Sequence, residues 1–172
     1  MNGVTRSLGA ALSLAFAAGC ARNEPPPPKR DDVAMQREWL YGKSAEAPGI
    51  EWRPSGLGVR SIAAGEGASP GLSDMVRVHY VLRLKDGRVI EDTRARGEPR
   101  DFLVSRLIPG WAGGMTALKP GGRAELFVPP SLGYGNASGG GIPGRSGLIF
   151  DIELLAVNPV TIPAIPGDAR PK

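Results

Sequence analysis

The chain has 172 residues (18.0 kDa), which suits one globular domain with additional sequence at its ends, and its 25 Gly and 17 Pro favour short strands joined by turns over a helical bundle. A single His (His79) and a single Cys (Cys20) argue against a zinc site and against a nucleophile with an imidazole partner, so no metal and no cofactor are expected. The net charge is +4, but Lys and Arg are scattered rather than gathered in a stripe, so no nucleic-acid partner is expected.

The first twenty residues have the layout of a bacterial lipoprotein signal peptide. Arg6 precedes an uncharged run over residues 8–19 that is too short and too rich in small residues to span a membrane stably. Ala17-Ala18-Gly19-Cys20 resembles the lipobox, where a signal peptidase cuts before an acylated Cys, although Leu is usual in place of Ala17. The resemblance implies that residues 1–19 are removed and that Cys20 carries a lipid anchor. The alternative is ordinary cleavage nearby, which leaves Cys20 an unmodified thiol.

Location follows from the residue after the lipidated Cys. Ala21 stands where Asp would resemble an inner-membrane retention signal, so the resemblance implies a lipid-anchored protein of the bacterial cell envelope. In a host with two membranes, the protein is expected on the outer membrane, facing the periplasm.

Residues 20–56 are expected to act as a linker. Pro25–Pro28 favours an extended polyproline II stalk, and a short helix is predicted over residues 33–41, capped by Asp32 and ended by Gly42. Residues 43–56 are predicted to be irregular, as is the Pro-rich tail over residues 158–172. Neither end is expected to supply a core.

The globular part is expected over residues 57–157, where apolar and polar residues alternate in several runs. Residues 76–85 alternate with period two, which predicts a strand with one buried face. Asp86-Gly87 predicts a tight hairpin that leads into a return strand over residues 88–91. Two further strands are predicted over residues 123–128 and 148–157.

One short helix is predicted between these strands, from Pro109 to Leu118. Trp111, Met115 and Leu118 fall at positions i, i+4 and i+7 and so share one face. An antiparallel sheet with one such helix can bury only that face, so the fold class is α+β with the helix lying across the sheet.

An ordered set of motifs runs through the globular part: Val78-His79-Tyr80, Asp86-Gly87, Arg96-Gly97-Glu98-Pro99, Leu107-Ile108-Pro109-Gly110-Trp111, Gly121-Gly122, Val128-Pro129-Pro130, Leu132-Gly133-Tyr134-Gly135, Gly141-Ile142-Pro143 and the run from Leu148 to Leu155. In order and spacing, the globular part resembles the FKBP-type peptidyl-prolyl cis-trans isomerases. The resemblance implies an antiparallel half-barrel sheet wrapped around one short helix, and an isomerase (rotamase) that acts on Xaa-Pro bonds of exported polypeptides as they fold.

The resemblance also implies a site for the substrate's prolyl ring. The ring is expected over the indole of Trp111, with the Ile108 N–H and the Tyr134 hydroxyl donating hydrogen bonds to substrate carbonyls. His79 is expected to be a structural strand residue, because isomerisation needs no base. The implied catalytic residues are Tyr80, Glu91, Ile108, Trp111, Tyr134 and Phe150, and the implied substrate-binding residues are Ile90, Arg96, Phe102, Leu107 and Ile142.

The chain departs from the family's pattern at two places, Ile90-Glu91 and Gly144-Arg145, the second of which replaces a more usual Pro-Asn. Ile90-Glu91 replaces the usual Phe-Asp, and Asp92 follows, so either Glu91 or Asp92 is expected to bind the Tyr80 hydroxyl. We expect weakened isomerisation and an altered affinity for macrolide inhibitors. The alternatives are a catalytically weak FKBP-fold binding module or chaperone, and a mainly structural envelope lipoprotein.

Overall fold

Seven antiparallel strands form one sheet in the computed structural model, which describes residues 33–159. The strands are paired in the order β1-β2-β6-β7-β3-β4, and β5 also pairs with β3. The strands are β1 Ile50–Trp52, β2 Gly58–Ala63, β3 Met75–Arg83, β4 Val89–Asp92, β5 Arg100–Leu103, β6 Arg123–Val128 and β7 Leu148–Val157, and the helices are α1 Val33–Tyr41, α2 Thr93–Arg96 and α3 Pro109–Met115.

Three sequence-based predictions concern residues outside the described range. They are the lipoprotein signal over residues 1–19 with Cys20, the Pro25–Pro28 stalk and most of the tail over residues 158–172.

The inner face of the sheet carries the main core, and α3 packs on it. Trp111 and Met115 are buried on one side of α3, and Leu118 is buried just beyond its end. The helix ends three residues before the predicted boundary, because short turns after Gly114 and Met115 replace regular helix. The sheet residues that share this core are Val76, Val78, Tyr80 and Leu82 on β3, Ala124, Leu126 and Val128 on β6, and Leu148, Phe150, Ile152 and Leu154 on β7.

Two glycines allow α3 to lie close against β6. A Cβ atom at Gly110 would overlap the side chain of Val128, and one at Gly114 would overlap the side chain of Leu126. The backbone of α3 therefore rests directly on β6, and this contact sets the height of Trp111 above the sheet.

The outer face of the sheet carries a second, smaller cluster that the sequence analysis missed. Tyr41 at the end of α1 packs against Phe127 with ring centroids 5.5 Å apart, and Trp52 of β1 lies 5.7 Å from the same ring. Ile149 completes the buried part of the cluster. The segment before residue 57 thus covers one face of β6 and β7.

The prediction of irregular chain over residues 43–56 was wrong at β1, and so was the expectation that this end supplies no core. A three-residue strand is too short to show an alternating pattern, and Pro48 and Gly49 beside it indicated a turn. The helix over residues 33–41 and the strands over residues 123–128 and 148–157 are confirmed. Strands β2 and β5 were not predicted.

Charged residues on the outer face are held in paired networks. Glu125 accepts from Arg60 at 2.7 Å and from Arg83 at 2.6 Å, while Asp151 contacts Arg123 and Arg94. Burial alone would raise the pKa of the Asp151 carboxyl, but the hydrogen bond from Arg123 and the nearby positive charges outweigh it and hold that pKa below its usual value.

The α3–β6 contact predicts the effect of adding one methyl group. Gly114→Ala should destabilise the domain by about 1–3 kcal/mol, because its Cβ overlaps Leu126 in a packed core. Gly113→Ala is the matched control, since its Cβ would meet the ends of two flexible side chains, Leu57 at 3.3 Å and Arg53 at 3.8 Å, and should change stability by less than about 1 kcal/mol. Urea unfolding of both variants measures the difference, and equal losses would contradict the close contact.

Candidate active site

Trp111 lies at the centre of an aromatic cluster built from three strands. The ring centroids of Tyr80 on β3 and Phe150 on β7 each lie 5.0 Å from that of the Trp111 indole, and the centroid of Phe102 on β5 lies 5.6 Å from it. All three rings meet the indole at 80° to 88°, an edge-to-face arrangement that aromatic pairs favour. The indole is thus held in one orientation by contacts from three directions.

A polar cluster sits beside this aromatic group. The Tyr80 hydroxyl donates a 2.5 Å hydrogen bond to Oε2 of Glu91, and Arg96 donates a 2.9 Å hydrogen bond to Oε1. Burial, and then the hydrogen bond and negative charge of Glu91, raise the pKa of Tyr80 well above its usual value. Tyr80 therefore stays protonated at neutral pH, and the charge of Glu91 is balanced by Arg96.

The structure decides which acid binds Tyr80. Asp92 is the N-cap of α2, where its carboxylate accepts a 2.9 Å hydrogen bond from the Ala95 N–H. Glu91, one methylene longer than the Asp usual in the family, reaches the Tyr80 hydroxyl. Arg100 lies 3.7 Å from the same Glu91 carboxylate, a contact that the sequence did not indicate because it depends on the pairing of β5 with β3.

The other apolar residues expected at the site are half-buried around the core. Ile108 precedes α3 and its carbonyl accepts from the N–H groups of Trp111 and Ala112, which positions the start of the helix. A Cβ at Gly141 would contact Ile90 at 3.6 Å, so the loop that contains Ile142 approaches β4. Four of these expected residues are half-buried and pack against the core cluster, namely Ile90, Leu107, Ile108 and Ile142.

Tyr134 differs from the other expected aromatic residues because half of its surface is exposed. It follows the short 3-10 turn Pro130–Leu132, and its carbonyl accepts a 3.1 Å hydrogen bond from the Ala137 N–H. It is also among the groups that raise the pKa of Tyr80. Tyr134 is thus free to bind a ligand without unpacking the core.

The indole nitrogen of Trp111 is an unpaired donor. Its Nε1–H is buried and has no acceptor among residues 33–159, and an unpaired buried donor costs about 1–3 kcal/mol.

His79 lies on the opposite face of β3 from Tyr80. Its Nδ1 is 3.1 Å from the Thr93 hydroxyl.

Within the described range, no group of three or more His, Cys, Asp and Glu residues could hold a metal ion. The helices of this range are also too short or too polar to cross a membrane.

Comparison with known proteins places this geometry in a family. Residues 67–155 match the family model of the FKBP-type peptidyl-prolyl cis-trans isomerases. The chain belongs to this family, and its antiparallel sheet with a short packed helix is the family's fold.

Relatives and solved structures agree with this assignment. The chain is 41% identical to the isomerase FkpA of Escherichia coli over 142 residues, which cover 83% of this chain and 51% of FkpA. It is 46% identical to the outer membrane protein MIP of Legionella longbeachae over 130 residues, covering 75% of this chain and 56% of MIP.

Two crystal structures share the fold. That of Escherichia coli FkpA superposes with a TM-score of 0.66 at 40% identity, covering 75% of this chain and 59% of FkpA. The crystal structure of AtFKBP13 superposes with a TM-score of 0.58 at 31% identity, covering 62% of this chain and 97% of AtFKBP13. The chain spans about half the length of the two relatives named above.

The polar cluster predicts the titration of Tyr80. Glu91→Gln keeps an acceptor but removes the negative charge, so the pKa of Tyr80 should fall toward its usual value of about 10. Asp92→Asn, the same change one residue along, should leave that pKa unchanged. Carbon-13 NMR titration of labelled tyrosine rings, assigned with Tyr80→Phe, measures both. If the pKa of Tyr80 fell in Asp92→Asn but not in Glu91→Gln, Asp92 rather than Glu91 would bind Tyr80 in solution.

Proposed function

We propose that this protein is a peptidyl-prolyl cis-trans isomerase that accelerates Xaa-Pro rotation in exported proteins at the bacterial cell envelope. The observation that carries the proposal is the Trp111 indole, clamped edge-on by Tyr80, Phe102 and Phe150. A prolyl ring is a compact apolar group, and a rigid aromatic surface is a suitable platform for it.

The chemistry requires no nucleophile and no proton transfer. Rotation about a prolyl amide faces a barrier of roughly 18–20 kcal/mol, because amide resonance holds the bond planar. Water hydrogen bonds to the carbonyl oxygen stabilise this dipolar planar form, so an apolar aromatic pocket favours the twisted form. Together with a shape that fits the twisted bond, a reduction of about 5–6 kcal/mol gives roughly ten-thousand-fold acceleration.

Each residue of the site then has a defined role. The Ile108 N–H and the exposed Tyr134 hydroxyl bind substrate carbonyls and align the peptide over Trp111. Glu91 accepts the hydrogen bond of the Tyr80 hydroxyl and is itself held by Arg96, so the hydroxyl is fixed in place. The half-buried side chains form the apolar wall, namely Ile90, Phe102, Leu107 and Ile142.

Position 91 carries Glu where the family usually has Asp, yet its contact with Tyr80 favours a working enzyme over an inert binding module. The longer side chain still makes the 2.5 Å hydrogen bond to Tyr80, so the polar part of the site is complete. Ile90 in place of Phe removes one aromatic ring from the wall of the prolyl site. We therefore expect an altered substrate preference and an altered affinity for macrolide inhibitors.

The envelope location is the second part of the proposal. It is supported by the lipobox-like segment that ends at Cys20, and by a relative that is named an outer membrane protein. A lipid on Cys20 would tether the domain to the membrane through the Pro25–Pro28 stalk, within reach of polypeptides that fold in the periplasm.

Isomerisation is tested with purified residues 21–172 and short Xaa-Pro peptides. The chain should accelerate the cis-to-trans change, and a macrolide FKBP inhibitor should block it. Tyr134→Phe should lower kcat/KM about 2- to 10-fold with unchanged stability, because it removes one hydrogen bond to substrate from an exposed side chain. Tyr41→Phe also removes one tyrosine hydroxyl, but on the outer face of the sheet, and should leave kcat/KM unchanged. An isomerisation rate equal to that in buffer alone would contradict the proposal and favour the alternative of a catalytically weak FKBP-fold binding module.

Lipidation is tested in a host with two membranes. Cys20→Ser should abolish incorporation of labelled palmitate and move the protein out of the membrane fraction, because its only thiol is the acylation site. Ala21→Asp should keep the label and shift the protein from the outer to the inner membrane. Unchanged fractionation of Cys20→Ser would show that the chain is not anchored by a lipid.

A further inference from the structure

A second cleft opens beside the aromatic cluster, along the unpaired edge of β5. It has a volume of about 400 Å³ and is lined by Met75, Asp101, Phe102, Leu103, Arg106 and Leu107. Within the described sheet, β5 pairs only with β3, so its other edge is open. Phe102 belongs to both places, since its ring also contacts the Trp111 indole. The cleft therefore adjoins the candidate active site at Phe102.

The surface of this cleft is apolar and partly exposed. The Met75 side chain is 38% exposed, an unusual degree for a large apolar residue at a strand end, and Phe102, Leu103 and Leu107 are half-buried. Asp101 is held by Arg77 through two hydrogen bonds of 2.7 Å, so the contact surface consists of the apolar side chains and the exposed Arg106. Such a surface fits an extended apolar peptide.

The chain itself leaves the sheet at the same place. Asn158, directly after β7, donates its N–H to the Met75 carbonyl at 2.7 Å and accepts from the Met75 N–H through its side chain at 3.0 Å. Its side-chain amide also donates to Asp74 at 3.0 Å, and its φ of 49° turns the chain sharply. Three hydrogen bonds thus fix the exit of the C-terminal tail next to Met75, at one end of the cleft.

The tail that begins here carries the sequence a prolyl isomerase would bind. Residues 161–166 read Thr-Ile-Pro-Ala-Ile-Pro, two Ile-Pro pairs three residues apart. In polyproline II, with three residues per turn, Pro163 and Pro166 lie on the same edge of the extended chain. One pair can therefore occupy the cleft while the other occupies the neighbouring prolyl site.

The available length agrees with this placement. Val157 pairs with Val76, which pairs with Phe102, so the exit lies about two strand spacings, roughly 10 Å, from Phe102. The Trp111 ring is 5.6 Å further. Pro163 would have to be almost fully extended to reach it, since five residues span at most about 17 Å, whereas Pro166 has eight residues and about 27 Å.

We propose that residues 160–166 of the chain's own tail lie in this cleft and place the Ile165-Pro166 bond over Trp111, where the tail competes with substrate. Pro163 then lies against Met75, Phe102 and Leu103. The inference rests on the proposed isomerase function for the identity of the site, but the docking itself is measurable without activity. A short tether gives the tail a high effective concentration, so even weak binding holds it in place.

The test compares residues 21–172 with a Pro163→Ala/Pro166→Ala double variant and with Pro171→Ala, a matched proline change outside the two Ile-Pro pairs. In nitrogen-15 NMR spectra, the double variant should shift the Trp111 indole signal and the amides of Leu103 and Leu107. Pro171→Ala should shift none of them, and the Trp52 indole on the outer face should stay unchanged in both. Adding a synthetic peptide of residues 158–168 to the double variant should restore the original signals.

Kinetics supply the second readout. If the tail fills the site for about four-fifths of the time, the double variant should lower the apparent KM about five-fold with kcat unchanged, while Pro171→Ala keeps the original KM. Signals of Trp111, Leu103 and Leu107 that are the same with and without the two prolines would overturn the docking.

The remaining outcomes are also decisive. Shifts that grow with protein concentration would overturn docking in cis, because the tail would then bind a second copy. Shifts without any isomerisation by the unmodified chain would support the docking while the proposed function fails, so the two ideas fail separately.

Discussion

The close contact between α3 and β6 is the constraint on which the site depends. Gly110 and Gly114 let the helix backbone rest on Val128 and Leu126, and the helix turn between them carries Trp111. A side chain at either glycine would hold the helix backbone away from β6, and its absence lowers the indole into the aromatic cluster. The glycines weaken the helix by propensity, yet they bring Trp111 into contact with three strands at once.

The sheet is covered on both faces, and each cover has a different consequence. On the inner face, α3 and the aromatic cluster form the candidate site, which includes an unpaired buried indole N–H. On the outer face, α1 and β1 cover Phe127 and Ile149.

The polar part of the site shows how a departure from the family's pattern is accommodated. A longer acid at position 91 satisfies the Tyr80 hydroxyl and pairs with Arg96, while the neighbouring Asp92 caps α2. Adjacent acids thus have different roles that are set by backbone geometry. Successive strand residues point to opposite faces of the sheet, so Glu91 shares the face of Tyr80, while Asp92 lies on the other face and caps α2. The raised pKa of Tyr80 follows from the first of these roles.

The sequence by itself determined the long strands, the helix that carries Trp111 and the fold class, because periodic patterns over six or more residues and the Asp-Gly hairpin are local signals. The family's motifs also pointed to the aromatic residues of the site. Only the tertiary structure decided that Glu91 rather than Asp92 binds Tyr80, that Arg100 joins them and that β1 and Tyr41 cover Phe127. These contacts join residues through strand register and face-to-face packing, which a short segment such as Ile50–Trp52 does not encode in its own pattern.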